Sequence, residues 1–482
     1  MQKKFITNLI LLLSLNLLVK PFWILGIDRT VQNIVGSESY GFYFAIFNFS
    51  FLFNIFLDLG ITNFNNRNIA QNNQLLNKHF SSIVILKLLL GLVFVFITFL
   101  VALIIGYNGE QLKFLGFLAF NQFLISFILY LRSNISGLLL FKTDSFISIL
   151  DRVLMIIICG ILIWGNVTDQ EFKIEWFIYA QSAAYLLTAL IALLVVIKKA
   201  AFRKFNWNRP FFIMIVKQSL PFALLVLLMT FYNRIDSVVL ERILPKGIGN
   251  EQVGIYAHGY RLLDASNMIA FLFSVLLLPI FSKMIKQKES VEGLIKLAFS
   301  LLITISVIVA LGSHFYSYEL MHLLYEDHVQ ESAHVFSLLM FGFIAISTTY
   351  IFGTLLTANG NLKQLNIVAA SGMLINLTIN IILIPELLAV GSAYASLSAQ
   401  FITAIAQIFV VQWIFKFRIN YKYLLNIIFF ILSVVAINII SKQLNFEWTT
   451  NFILMLIVSI ISATIFRLFN IKSIIKIIYM KN

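Results

Sequence analysis

The chain is predicted to be an all-α polytopic membrane protein, and three observations predict it. Of its 482 residues 60% are hydrophobic and only 12% charged, whereas soluble globular proteins are roughly half apolar and a quarter charged. Apolar runs of about 20 residues, enough for a helix to cross roughly 30 Å of hydrocarbon, recur from end to end. Within such runs, as in Leu88 to Ile105, every face is apolar, unlike the in-out alternation of a membrane β-barrel strand. The same composition excludes a soluble enzyme.

Fourteen runs follow one another. The first seven are approximately Phe5 to Ile27, Gly41 to Ile61, Phe80 to Ile105, Leu112 to Leu131, Phe146 to Trp164, Trp176 to Ile197 and Phe211 to Leu240. The others are approximately Val253 to Phe281, Leu294 to Phe315, Ala333 to Leu356, Asn366 to Leu383, Leu388 to Phe415, Tyr423 to Ile440 and Phe452 to Phe469. The first run follows Lys3-Lys4, contains Lys20 and Pro21 and carries no small-residue cleavage site, so it is expected to stay as a helix kinked at the proline. The single cysteine, Cys159, lies in an apolar run, so no intrachain disulfide or CxxC pair can form and a small buried side chain is expected. No loop exceeds about 20 residues, too few for a folded catalytic domain.

The net charge of +14 is spread among loops rather than gathered into a nucleic-acid-binding domain, and it has a side. With fourteen spans, the termini and even-numbered loops share one face, which holds 23 of the 35 basic residues. The odd-numbered loops hold six basic residues and fourteen of the 21 acids. The positive-inside rule therefore predicts both termini in the cytoplasm.

An internal repeat is legible in the loops. Asp28-Arg29 and Val35-Gly36-Ser37-Glu38-Ser39-Tyr40-Gly41-Phe42-Tyr43 match Glu241-Arg242 and Ile248-Gly249-Asn250-Glu251-Gln252-Val253-Gly254-Ile255-Tyr256 at a constant offset of 213. Six runs separate the copies, an even number, so both enter the membrane alike and the repeat is parallel. The predicted architecture is an N-lobe of six helices at 1–200, a basic cytoplasmic linker at 201–210, and a C-lobe of six at 211–418. Helices 13 and 14 and a basic tail follow at 419–482. A parallel two-lobed repeat suggests alternating access, with a cavity faced chiefly by runs 1, 2, 7 and 8.

Charged groups at membrane depth cost roughly 2.5–3.5 kcal/mol each on insertion scales, so they are expected inside the bundle. They are Lys20, Lys87, Arg132, Arg152, Arg234 and Arg261 against Asp58, Asp151, Asp236 and Asp264. Arg132, Asp151 and Arg152 lie near predicted cytoplasmic ends, where snorkelling and local pairing explain them, and Lys87 reads similarly. Thr230, Arg234, Ser237 and Glu241 form a polar stripe on run 7 expected to face the cavity. On run 8, Arg261 and Asp264 stand at i, i+3 with His258 on the same flank, and run 2 carries Ser50, Asn54 and Asp58 at four-residue steps. A cationic lining suits a phosphate or pyrophosphate, which arginine grips by bidentate hydrogen bonds. Lys20, Arg234 and Arg261 are the anion-binding candidates. Asp58, Asp236 and Asp264 are candidates to carry a coupling proton, and each is equally explained as partner to a cation.

His314, His322, His328 and His334 cluster with acids around the loop after run 9 without a metal-ligand spacing, so a solvated acidic loop is expected rather than a metal site. The glycine pairs before runs 2 and 8 lack the Lys-Ser/Thr of a P-loop, and no cofactor or nucleotide site is expected.

Several segments together resemble the O-antigen type oligosaccharide-unit flippases of polysaccharide biosynthesis (Wzx-like), in the multidrug/oligosaccharidyl-lipid/polysaccharide exporter superfamily. They are Val35-Gly36 to Gly41; Asp58-Leu59-Gly60 with Arg67-Asn68-Ile69-Ala70; Tyr232-Asn233-Arg234-Ile235-Asp236; Val253-Gly254-Ile255-Tyr256-Ala257; and Tyr260-Arg261-Leu262. Later come Leu278-Pro279, Thr357-Ala358-Asn359-Gly360-Asn361, Asn376 to Asn380, Ile384-Pro385 and Gly391-Ser392-Ala393-Tyr394-Ala395. The resemblance implies a MATE-like fold and translocation of an undecaprenyl-pyrophosphate-linked oligosaccharide across the bacterial cytoplasmic membrane. It adds Arg29, at the end of helix 1, to the anion-binding candidates, and likens helices 13 and 14 to a pair that elsewhere helps hold the lipid tail. Lipid substrate, membrane lipid and pathway enzymes such as a polymerase or glycosyltransferases are the expected partners, with a monomer favoured. The alternatives are a lipid II-type peptidoglycan precursor flippase, a MATE-like drug or cation antiporter and, from another class, a membrane polysaccharide polymerase.

Overall fold

The computed structural model describes residues 14–16, 18–62, 65–66, 69, 73–138, 140–165, 167, 170–200, 207–418 and 420–468. The basic pair Lys3-Lys4, Arg67 and Asn68, residues 201–206 of the basic linker and the basic C-terminal tail lie outside them.

The described residues are helical throughout, with no strand among them. Pro21 is followed by a π-helical turn, Trp23–Asp28, where the missing amide loosens the helix, and this passes directly into α1, Arg29–Leu52. The segment between runs 1 and 2 is therefore helix on both sides of one kink at Gly36. Its φ of 75° with ψ of 167° is open to glycine alone. α1 ends before its apolar run does, giving way to a 3-10 turn, Asn54–Leu57, and to Leu59 and Gly60 with φ of 45° and 82°.

There follow α2 (Leu75–Ile104), α3 (Gly109–Gly137), α4 (Phe141–Trp164), α5 (Ile174–Ile197), α6 (Arg209–Ile243) and α7 (Ile248–Lys286). Next come α8 (Glu292–Phe315), the short α9 (Ser317–Leu324), α10 (Val329–Ala358), α11 (Leu362–Phe415), α12 (Tyr421–Lys442) and α13 (Trp448–Ile465). α3 starts with a capping box, the Asn108 side-chain Oδ1 accepting from the Gln111 backbone amide at 2.8 Å and Gln111 Oε1 from the Asn108 backbone amide at 3.0 Å. α11 has 54 residues, about 80 Å of helix and far beyond one bilayer. It breaks after Pro385 at Leu388 (φ 53°, ψ −133°), and Ser392 Oγ donates to Asn380 Oδ1 at 2.9 Å to fold one leg onto the other. These legs are the two apolar runs on either side of Leu388. Among the described residues eleven helices are long and apolar enough to span a membrane.

Two compact units emerge, Met1–Gly254 and Ile255–Asn482. Their boundary falls inside α7, a different partition from the lobes that the repeat marks: α6 joins the first unit, where it packs along α1 with Asn48 Nδ2 donating to Ser237 Oγ at 2.8 Å. Lipid tails are as apolar as leucine, so close van der Waals fit and buried polar bonds hold such helices together more than the hydrophobic effect does. In the second unit a Cβ on Gly259 would stand 2.9 Å from the Phe336 backbone, and α12 and α13 pack on α8 through Val307, Phe430, Val434 and Ala463.

Candidate functional site

One fully buried cation in the first unit is not a ligand site. Lys87, on α2, is 1% exposed and its ammonium is fully engaged. It donates to the Leu57 carbonyl at 3.0 Å, to Ser126 Oγ at 3.0 Å and to Asp58 Oδ1. The break after α1 frees backbone carbonyls in a medium without water, and Lys87 satisfies one of them while neutralising Asp58. Asp58 in turn accepts from the Thr62 amide at 3.2 Å. This geometry makes the pair a clamp on a broken helix.

The Thr230–Glu241 stripe of α6 divides. Arg234, half-buried, lies over the Phe51 ring of α1 at 5.2 Å, a cation–π contact. Ser237 is buried against Asn48, and Glu241 Oε1 accepts from Gln111 Nε2 of α3 at 2.8 Å, so the Ser237–Glu241 half of the stripe is a helix–helix seam. Asp236 is 1% exposed on the neighbouring flank. Next to Glu241, the Arg242 guanidinium donates to Gln111 Oε1 at 3.0 Å and to the Ile105 carbonyl at 3.3 Å, and covers the Tyr107 ring at 4.2 Å. Burial raises the Tyr107 phenol above its ordinary pKa, so that ring is a neutral face for the cation.

At the other end of the first unit, Lys20 is within electrostatic reach of Arg132, Asp151 and Arg152. Arg132 grips Asp144 with two bonds, Nε to Oδ1 at 2.8 Å and Nη2 to Oδ2 at 3.3 Å. Arg152 Nε lies 3.6 Å from Asp151, and its guanidinium sits by the rings of Trp23 and Tyr185 at 5.5 and 5.9 Å. Asn16 donates to Ser148 Oγ at 3.1 Å, tying the first helix to α4 alongside. Sequence reasoning placed Arg132, Asp151 and Arg152 near predicted cytoplasmic helix ends with local pairing, and the structure pairs Arg132 with Asp144 and Arg152 with Asp151. One signal was available: Asp144, Ser148, Asp151/Arg152 and Met155 recur every three or four residues on one face of α4.

Sequence reasoning also passed over Asp28. It is 1% exposed, on the π-helical turn, and accepts from the Tyr40 hydroxyl at 3.0 and 3.1 Å and from Gln32 Nε2 at 3.3 Å. Arg29, beside it, is half-buried at the start of α1.

Residues 5–285 match the family described as polysaccharide biosynthesis protein, more than half of the chain. The chain belongs to that family. No curated relative matches it. Among solved structures it is similar to the lipid II flippase MurJ in an inward closed conformation, at 16% identity and a TM-score of 0.71, covering 96% of this chain and 99% of that one. An inward-facing multidrug resistance MATE transporter of the MOP superfamily gives 16% and 0.61, over 85% and 99%. A MOP superfamily transporter from Pyrococcus furiosus, described as having a binding pocket of reverse polarity, gives 14% and 0.54, over 84% and 94%. At such identities the likeness is one of fold, and the protein is a multi-pass membrane protein with a MATE-like fold.

In the second unit of this polysaccharide biosynthesis protein, Arg261 and Asp264 are half-buried on α7. His258 is 2% exposed, bonded to Ser332 Oγ at 2.8 Å and stacked on Tyr325 at 3.9 Å, so it is a packed core residue rather than a member of a lining flank. His328 contacts Asp327 and Glu331 at 3.3 and 3.7 Å in a partly exposed loop.

Proposed function

We propose that the protein is a flippase that carries a lipid-linked oligosaccharide unit, its lipid an undecaprenyl pyrophosphate, from the inner to the outer leaflet of the bacterial cytoplasmic membrane by alternating access, for surface polysaccharide synthesis. Both termini face the cytoplasm and the monomer is the working unit. The observation that carries this reading is the set of half-buried cations Lys20, Arg234 and Arg261 within the apolar runs, with Arg29 at the end of helix 1, in a member of the polysaccharide biosynthesis family. Guanidinium groups in a low-dielectric setting favour a phosphate-bearing headgroup over an organic cation. Asp58, the partner of Lys87, Asp236 and Asp264 are the candidates to carry a coupling proton.

The test is translocation of a labelled undecaprenyl-pyrophosphate oligosaccharide in proteoliposomes. Wild-type protein is expected to flip it, and Arg29→Ala, Arg234→Ala and Arg261→Ala at equal folded yield are each expected to lose about tenfold or more, the scale of one charge-assisted contact. Transport of soluble cations alone, with no lipid-linked sugar moved, would sink the reading.

A further inference from the structure

Three connections meet at one end of the first unit. The turn from α2 to α3 touches the end of α6 through Arg242, which donates to the Ile105 carbonyl at 3.3 Å and to Gln111 Oε1 at 3.0 Å and lies 4.2 Å from the centre of the Tyr107 ring. The turn from α6 to α7 lies by the segment that leads to Gly41: a Cβ on Gly247 would stand 3.9 Å from Glu38 Oε1. Residues 28–41 and 105–111 belong to one of the lobes that the repeat marks and residues 241–254 to the other, so these contacts run from lobe to lobe.

Gln111 is the hub. Its Oε1 accepts from the Asn108 amide as well as from Arg242, and its Nε2 donates to Glu241 Oε1 at 2.8 Å, so both ends of its amide are engaged. Glu241 and Arg242 themselves lie 2.7 Å apart. One physical property sets this group apart from the rest of the α1–α6 seam. Asn48 and Ser237 are 1% and 2% exposed, whereas the Arg242 and Glu241 side chains are 26% and 10% exposed at a helix end, where water can take the place of a partner. Side-chain bonds that water can replace are broken and remade at modest cost, while polar groups sealed in an apolar interior are not. Where two lobes must part and rejoin, such a contact is the kind that can alternate.

We propose that Gln111, Glu241 and Arg242 are positioning residues for transport: they form a latch that holds this end of the bundle closed and parts when it opens. That the opening releases a lipid-linked substrate rests on the flippase reading; the latch itself does not.

The experiment uses the full chain with Cys159→Ala, so that introduced cysteines are the only ones present. In nanodiscs, Ser237→Cys, one turn along α6 from Glu241 and buried against Asn48, reports opening through its rate of reaction with a maleimide well below the thermal midpoint. Arg242→Gln and Glu241→Gln are each expected to raise that rate about threefold or more, the scale of one partly exposed ion contact, and Arg242→Lys to raise it less. In proteoliposomes, Gln111→Cys with Glu241→Cys is bridged by a short bifunctional methanethiosulfonate. Bridging is expected to abolish translocation of the labelled undecaprenyl-pyrophosphate oligosaccharide, and dithiothreitol to restore it. A merely structural seam would lower the thermal midpoint in the Gln variants without changing the maleimide rate. Unchanged rates in both Gln variants, or flipping by the bridged protein at its unbridged rate, overturns the latch. The two readings separate cleanly: faster reaction in the Gln variants with no flipping by the wild type keeps the latch and removes the flippase, and undiminished flipping after bridging does the reverse.

Discussion

The two copies of the internal repeat keep the same glycine where they touch each other and diverge in the acid that each uses to bind its neighbours. Ser37 and Gly41 correspond to Asn250 and Gly254. A Cβ on Gly41 would stand 1.7 Å from the Asn250 carbonyl oxygen, and one on Gly254 would stand 2.0 Å from that of Ser37. The contact is reciprocal, and each glycine is present in both copies because the facing backbone leaves no room for a side chain. The acids beside the matching arginines tell the opposite story. Asp28 turns inward to Tyr40 and Gln32, while its counterpart Glu241 reaches across to Gln111 of α3. Position 253, the counterpart of Tyr40, is valine, so the second copy has no phenol to bind its acid, and the longer glutamate finds its donor on another helix. Repetition thus fixes the crossing, and local partners decide what each charged pair does.

The sharpest way to break that comparison is to fill the crossing. Gly41→Leu and Gly254→Leu should each cost about 3 kcal/mol or more, since backbone cannot yield as a flexible side chain does. Little monodisperse protein is expected from either on size exclusion, and normal folded yield from both would mean that the helices do not meet there. Next in size is Lys87. Its pairing with Asp58 belongs to one copy only, because the positions 213 residues on are Phe271 and Ser300. Lys87→Met should cost about 3–5 kcal/mol by stranding a carboxylate and a carbonyl. The double variant Lys87→Met/Asp58→Asn should recover part of that in the thermal midpoint; no recovery would detach the lysine from the aspartate. The smallest effect compares the two acids directly. Tyr40→Phe removes a hydrogen-bond donor from a carboxylate and should cost about 1.5–3 kcal/mol. Gln111→Leu should cost at least as much, because it removes the donor to Glu241 together with the capping-box acceptor of the Asn108 amide and an acceptor of Arg242. A smaller cost in the thermal midpoint than that of Tyr40→Phe would mean that Glu241 is held by Arg242 rather than by Gln111.

Much of this was legible in the linear chain. Apolar runs too long for anything but spanning helices dictated the fold class, since backbone polar groups in lipid must be satisfied within a helix. Loop residues revealed the repeat, and family motifs such as Tyr232 to Asp236 revealed the kinship. The site was legible only as a set of residue types. Lys20 was picked out by its charge at depth, but Arg152 and Arg132 were set aside because a cation near a helix end has a ready explanation in snorkelling.

What the sequence determined by itself is the part governed by local rules: hydropathy, helix period, a proline that loosens one turn and glycines that allow a kink or a close crossing. What the tertiary structure decided is which groups each charge meets. Lys87 and Arg152 are both cations inside apolar runs, and nothing in their neighbours along the chain tells them apart. One faces a broken helix and donates to three acceptors, whereas the other pairs with the acid next to it and lies by two aromatic rings. That distinction depends on groups 30 to 129 residues away in the sequence, brought within 3 to 6 Å by packing.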